Sequence, residues 1–544
     1  MSAIAATTTA PRYFDPAPPR EETILADICI YGATSGGVIA AIEAAERGRR
    51  VVLLEPSAHL GGMSSGGLGF TDIGSKNHIG AIGGKAREFY QRVGRHYGAD
   101  EEWYFEPHVA ERIFETWLAT TDVHLYRRQF IDTALIEKNS NPNTTGHRIT
   151  AIRTLSGLTV RASIFIDCSY EGDLLACAQV TSTIGRESST RYDETFNGMH
   201  VRDNHFMYPI DPYNVPGLPS SGLLPGIEHG DDFVQHAGDT RIQAYNFRVC
   251  MTRRPDLRVP FVKPAAYDPT EYILLKRYLN AGWSDVFAKF DSIRNGKTDT
   301  NNHGAISTDF IGRNHAYPTA DYVTRERIYQ QHVAWQQGQL WCLANDPEVP
   351  AAIRETMSQW GLARDEFVST GNWPHALYVR ESRRMISDHV MTQHHCLGHE
   401  TISDSAGLAA HGMDSHTCRR IVQNGVVANE GDVQVHNIQP YPISYRSLVP
   451  RRAECQNLYV TFCLSASHIA FGSIRMEPVL MVLGQTAAIA ADIALTEHIA
   501  VQDVTPAFLQ LEFLAAGKIL AWPPTVSNLC LDVVGVKAPN YGLV

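Results

Sequence analysis

Asp27 is followed by Ile28-Cys29-Ile30-Tyr31, an apolar run that stops at Gly32. Such a run predicts a short strand buried on both faces of a parallel sheet. Val38 to Arg47 has helical composition, and Gly48 ends it as a left-handed residue after a helix often does. A second apolar run, Val51-Val52-Leu53-Leu54, closes on Glu55. Far along the chain, Asn457-Leu458-Tyr459-Val460-Thr461-Phe462 predicts another buried strand, and Pro478 opens a long apolar helix from Val479 to Leu495. Met1 to Glu22, rich in Ala, Thr and Pro, reads as a disordered leader.

The turn between the first strand and helix is Gly32-Ala33-Thr34-Ser35-Gly36-Gly37. Strand, glycine turn, helix, strand and acid together predict a dinucleotide site. Gly32 allows the tight turn, the small residues up to Gly36 let the backbone approach a pyrophosphate, and Gly37 lets the helix pack on the sheet. The helix N-terminus offers free N–H groups and partial positive charge to phosphate. Glu55, with Pro56 beside it, is placed to meet a ribose diol, about 20 residues after the turn. Thr34 stands where the second glycine of G-x-G-x-x-G is expected, so the motif alone is weak and its context carries the reading.

Composition narrows the class. Apolar residues are 44% and charged residues 19% of 544, which is ordinary for a globular chain. A net charge of -11 argues against a nucleic-acid partner. No run of 18 apolar residues predicts a membrane span, and the start lacks the pattern of a secretory signal. Ten scattered cysteines without C-x-x-C fit a reducing cytoplasm. Self-association is left open.

Past Glu55 lies Leu60-Gly61-Gly62-Met63-Ser64-Ser65-Gly66-Gly67-Leu68-Gly69. It resembles the second phosphate and ribityl loop of glutathione-reductase-like flavoproteins. Other strings are similar to the FAD-dependent oxidoreductase family often labelled "xanthan lyase-like". They include Ile82 to Tyr90, Ile166 to Asp173, Gly185-Arg186-Glu187, Leu377 to Arg384, Asp414-Ser415-His416, and Ser467-His468 through Pro478. The resemblance runs from about Ala26 to Ala515. It implies FAD as the cofactor and an α/β, Rossmann-like, three-layer FAD-binding domain that is discontinuous, with an inserted α+β substrate or cap domain. The expected boundaries are 24–185 and 432–515 for the FAD domain and 186–431 for the insert, after a leader over 1–23 and before a surface segment over 516–544. It further implies that Met476 and Glu477 begin a helix aimed at the flavin. Ser465 stands where the family usually has an acid, and Asp167 and Gly172 organise a turn near the flavin phosphates.

Flavin oxidation of an alcohol or amine needs a proton acceptor. His468, on a turn leaving a strand end, and His416, two residues after Asp414, are the first candidates. Arg380 could grip a carboxylate or polarise a carbonyl; Arg475 and Tyr445 are further candidates. His394, His395, Cys396 and His399 match no zinc spacing, so no metal is expected. No G-x-S-x-G elbow suggests a serine hydrolase. The polar, aromatic insert suggests a small hydroxylated or sugar-like substrate for an oxidase or dehydrogenase. A flavin monooxygenase is an alternative, and so is a flavin-free carbohydrate-binding or lyase protein on a degenerate fold.

Overall fold

The computed structural model describes residues 10–138 and 146–524. The first apolar run is strand β1 (Ile28–Tyr31), wholly buried. Helix α1 (Ser35–Glu46) starts three residues earlier than its apolar stretch, because Thr34 caps it, accepting from Gly37 N at 3.3 Å. Strand β2 (Val51–Glu55) follows, then the short helix α2 (Gly62–Ser65) and strand β3 (His124–Arg127). Strand β4 (Ile164–Asp167) and, near the far end, β5 (Met413–Ser415) and β6 (Leu458–Val460) precede helices α3 (His468–Ile474) and α4 (Glu477–Thr496).

Five of the strands form one parallel sheet in the order β6-β4-β1-β2-β3. Tyr31 lies opposite both Leu54 and Asp167, and Asp167 opposite Val460. The C-terminal ends of β1, β2, β4 and β6 therefore share one edge, which is where ligands gather in open α/β sheets. A four-stranded sheet is built from Glu22–Leu25, Leu158–Arg161, His147–Thr154 and Ile131–Lys138. A separate antiparallel sheet of five strands lies between residues 249 and 363. It packs with the helix Tyr322–Asn345 around a second apolar cluster that includes Tyr245, Phe247 and Trp373.

Helix α4 is long and apolar enough to cross a membrane by length and composition, yet 83% of its apolar window is buried inside the protein. It packs on α1, on the helix Gly84–His96 and on the strand Ser405–Ala409. The crossing with α1 is backbone to backbone. A Cβ on Gly36 would stand 2.6 Å from the Leu480 carbonyl oxygen, and one on Gly484 would stand 2.1 Å from the Gly36 oxygen. Gly37 faces the sheet, where a Cβ would meet Gly32 O at 1.9 Å.

The leader reading falls partly on residues 1–9, outside the described residues. From Pro11 the chain is anchored: the Tyr13 and Phe14 amides donate to Glu326 Oε2 at 2.7 and 2.8 Å, and Phe14 stacks on Tyr322. Two aromatic rings supply the burial that the surrounding Ala, Thr and Pro do not. Residues 525–544 of the expected surface segment likewise lie outside the described residues. Of the part that is described, Lys518 is buried, its Nζ donating to Val482 O at 2.8 Å.

Candidate functional site

At the shared edge of the sheet, Gly32, Thr34, Glu55, Pro56, Gly62 and Tyr170 line a groove enclosing a cavity of about 100 Å3. Glu55 is buried. Its carboxylate accepts from Ala33 N at 2.6 Å and from Ser57 N at 2.7 Å, and burial pushes its pKa up against those bonds. Each oxygen keeps a lone pair for a ribose hydroxyl. Gly61 donates to Ala33 O at 2.8 Å, which draws the glycine-rich turn alongside the α1 entry, and Thr34 Oγ1 donates to Cys168 O at 2.9 Å. The first N–H groups of α1 begin beside Thr34, which lines the groove, and lack an intrahelical acceptor, that of Gly37 being met by Thr34 Oγ1. Buried acid, helix end and glycine turn fit the adenosine diphosphate part of a dinucleotide.

On the flavin side, Gly62 adopts φ +54, and a Cβ there would meet Tyr170 Oη at 2.1 Å. Tyr170 Oη accepts from Met63 N at 2.8 Å and donates to Glu477 Oε1 at 2.7 Å. The phenol thus spans the strip between the glycine turn and the N-terminus of α4. Ser64 Oγ donates to the other Glu477 oxygen at 3.2 Å, and burial raises the Glu477 pKa. Ser65 Oγ turns back to Leu60 O. Gly66 and Gly67 abut Ala376 and the Arg248 backbone. Met476 caps α4 through its backbone alone.

Asp167 ends β4 and holds the next turn. Its Oδ1 accepts from Ser169 N and Oγ, its Oδ2 from Leu175 N, and burial pushes its pKa to about 6. Gly172 takes φ +68 in that turn. Ser465 is directed elsewhere, accepting from Ser387 N at 3.1 Å.

A larger polar cavity, about 1050 Å3, lies across the segment 376–379. Ala376, Leu377 and Val379 line the groove, and Tyr378 lines the cavity. Three guanidinium carbons surround the Tyr378 ring: Arg380 at 4.6 Å, Arg475 at 5.6 Å and Arg248 at 5.7 Å from its centroid. Arg475 also donates to Tyr378 Oη at 2.7 Å. His416 lines the cavity, with Nδ1 2.7 Å from Asp309 Oδ2 and Nε2 3.4 Å from Asp414 Oδ2. Burial and Arg380 oppose its charge, but Asp414 and Asp309 outweigh them and raise its pKa. Arg380 Nη1 stands 2.8 Å from Asp309 Oδ1, so His416, Arg380 and Arg475 meet around one wall.

His468 and Tyr445 lie away from this wall. His468 is 1% exposed; its Nδ1 is 2.9 Å from Glu381 Oε1 and its Nε2 2.9 Å from Ser415 Oγ. Ser415 is the last residue of β5 and points opposite to Asp414 and His416. The Ser415-His468-Glu381 chain is thus sealed behind the strand that leads into His416. Tyr445 Oη bonds Tyr459 Oη and Val501 O within the core. His394 meets the Tyr192 and Asp193 carbonyls, and His395 caps its own short helix with Thr392. Glu106, His108 and Glu366 are spaced like metal ligands, but Lys297 Nζ, 2.6 Å from both glutamates, fills that cluster with a cation.

Sequence reasoning missed Asp309, Arg248, Tyr378 and Tyr170. The first two sit in stretches with no motif. Tyr378 and Tyr170 lie within stretches that resemble the family, and a bulky ring in a turn expected near the flavin phosphates was the available signal for Tyr170.

A family model described as FAD dependent oxidoreductase matches residues 27–513. No curated protein matches. Among solved structures, THI4 of Thermovibrio ammonificans aligns at 15% identity and TM-score 0.22, over 30% of this chain and 66% of that one. L-proline dehydrogenase from P. horikoshii aligns at 15% identity and TM-score 0.24, over 32% and 59%. T. acidophilum thioredoxin reductase aligns at 17% identity and TM-score 0.18, over 26% and 34%. The matched part spans under two thirds of each of these chains.

Proposed function

The chain belongs to the FAD dependent oxidoreductase family, and from that premise we propose that it oxidises a small polar, hydroxylated molecule held in the large cavity. The observation that carries this is the single-segment partition: residues 376–379 line the dinucleotide groove with three side chains and the polar cavity with the fourth. Bound FAD supplies the hydride acceptor, its N5. Glu55, the α1 N-terminus and the Gly61–Gly62 turn would hold its adenosine diphosphate, and Tyr170 would turn aside to release the Met63 amide and Glu477 carboxylate to the flavin half.

The chain's own residues then manage the substrate and its proton. His416, oriented by Asp309, takes the hydroxyl proton. Arg475 and Tyr378 orient the reacting oxygen, and Arg380 fixes Asp309. His468 is a positioning residue that acts through Ser415 on β5. A discontinuous cofactor domain with an insert over 186–431 belongs to the same proposal. The parallel sheet drawing strands from both chain ends supports it, as does the apolar cluster drawn mainly from residues 210–379. So does a cytoplasmic setting, with the nine described cysteines as free thiols.

The test is anaerobic reduction of the FAD-loaded protein by sugars, polyols, amines and hydroxy acids. A hydroxylated compound that bleaches the flavin is the expected result. A pure protein that neither contains nor takes up FAD refutes the reading.

A further inference from the structure

Arg12 belongs to a short segment that the fold pins beside the dinucleotide groove. Gln330 Nε2 donates to Pro11 O at 2.7 Å, and Glu326, on the same helix, accepts from the Tyr13 and Phe14 amides. The Tyr13 ring stands edge-on to Phe130 at 5.9 Å and to Tyr317 at 5.8 Å, and its Oη accepts from Arg325 Nη1 at 3.1 Å. Ala17 N then donates to Arg128 O at 2.9 Å. The backbone is therefore held on both sides of Arg12, whose own side chain is exposed and lines the groove. Its guanidinium makes no hydrogen bond or ion pair among the described residues, so its five donors are unspent.

The groove calls for such a charge, because a dinucleotide brings an anionic diphosphate into it. Among the described residues that line it, Arg12 is the one arginine or lysine. The lining imidazoles do not replace it. His59 Nδ1 is 2.8 Å from Glu111 Oε1, and burial drives the His375 pKa down to about 3, so that ring is neutral. The lining acids, Glu55 and Glu171, oppose an anion where they are ionised; burial raises both pKa values, that of Glu171 to about 7. The α1 N-terminus offers about half a charge. A guanidinium supplies a whole one, in a planar fork that matches phosphate oxygens.

We propose that Arg12 binds the diphosphate of FAD, presented to it by a segment that precedes the strand-turn-helix unit in sequence. This rests on the groove being the FAD site. The experiment titrates the FAD-stripped full chain with FAD, read by flavin fluorescence, and with ADP and adenosine, read by calorimetry. ADP carries the diphosphate without the flavin half, so Tyr170 need not move to admit it. Arg12→Ala should weaken FAD and ADP binding about tenfold, the loss of a charge-assisted contact, and leave adenosine binding unchanged. The FAD affinity of the variant should also fall less steeply with salt than that of the wild type. Arg12→Lys, which keeps the charge and loses the fork, should recover part of the loss. A folded Arg12→Ala protein that binds FAD and ADP like the wild type overturns the proposal. So does an equal weakening of adenosine, or an unchanged salt slope, either of which makes the segment a steric cover and not an anion site. A wild-type chain that binds neither FAD nor ADP refutes the FAD reading of the groove itself.

Discussion

His416 Nδ1 lies 2.7 Å from Asp309 Oδ2, with both side chains buried. The pair sets the pH at which His416 can accept a proton. Its pKa is raised because Asp414 and Asp309 outweigh burial and Arg380. The imidazolium therefore persists above the ordinary value of about 6.5, and the basic form appears only at higher pH. Substrate-driven flavin reduction should rise with pH through a midpoint above that value. His416→Asn should abolish this limb and slow reduction by about 10²- to 10⁴-fold with FAD retained. Stopped-flow rates from pH 6 to 9 check it; a flat wild-type profile removes His416 as the base.

Tyr170→Phe tests whether the phenol obstructs the flavin half of the cofactor. The variant keeps the ring and deletes the bonds to Met63 N and Glu477 Oε1. If seating FAD breaks those two bonds, the variant should bind FAD about tenfold tighter, at about 1 kcal/mol or somewhat more for the pair. Fluorescence titration of the stripped protein reads this. Weaker binding would mean that the hydroxyl serves the cofactor.

Gly36→Ala should destabilise the fold by about 1–3 kcal/mol, since the new methyl meets backbone and the helices must part. Denaturant midpoints measure it. Gly48→Ala is no clean control, because Gly48 takes φ +80, and neither is Ala44→Gly, because Ala44 is packed in the core. A loss for Gly36→Ala below about 0.5 kcal/mol would mean the crossing has slack.

Lys518 gives a prediction about stability and pH. Burial lowers its pKa to about 7 in the fold. Between that value and about 10.4, the unfolded chain holds a proton that the folded chain lacks. Stability from this group is therefore gained as pH rises across that window and lost again as pH falls across it, the loss being complete below about 7. Lys518→Met should raise the melting temperature at pH 7 and flatten its rise toward pH 10. An unchanged slope refutes the assignment.

The dinucleotide turn was legible because its logic is local. Gly32, Thr34, Gly37 and Glu55 lie within one strand-helix-strand unit, and their spacing encodes the geometry. Gly36 was legible only in part, since its closest partner is Leu480 on a distant helix. The wall of the large cavity was not legible. Arg248, Asp309 and Tyr378 converge from separate loops, and no periodicity marks such a meeting. Histidines at a strand end were found as a class, but which of them faces the cavity depends on the strand's two faces. Ser415 and His416 are neighbours in sequence and look opposite ways, so His468 follows Ser415 into the core.

The contact between Gly36 and Gly484 has a consequence for biosynthesis. The helix that seats the phosphate turn, α4, is made long after that turn. At about 5–20 residues per second, the apolar flank of α1 waits tens of seconds without its partner. Until α4 is made, a nascent chain thus carries the nucleotide fingerprint without a nucleotide site, and cofactor loading waits for that helix.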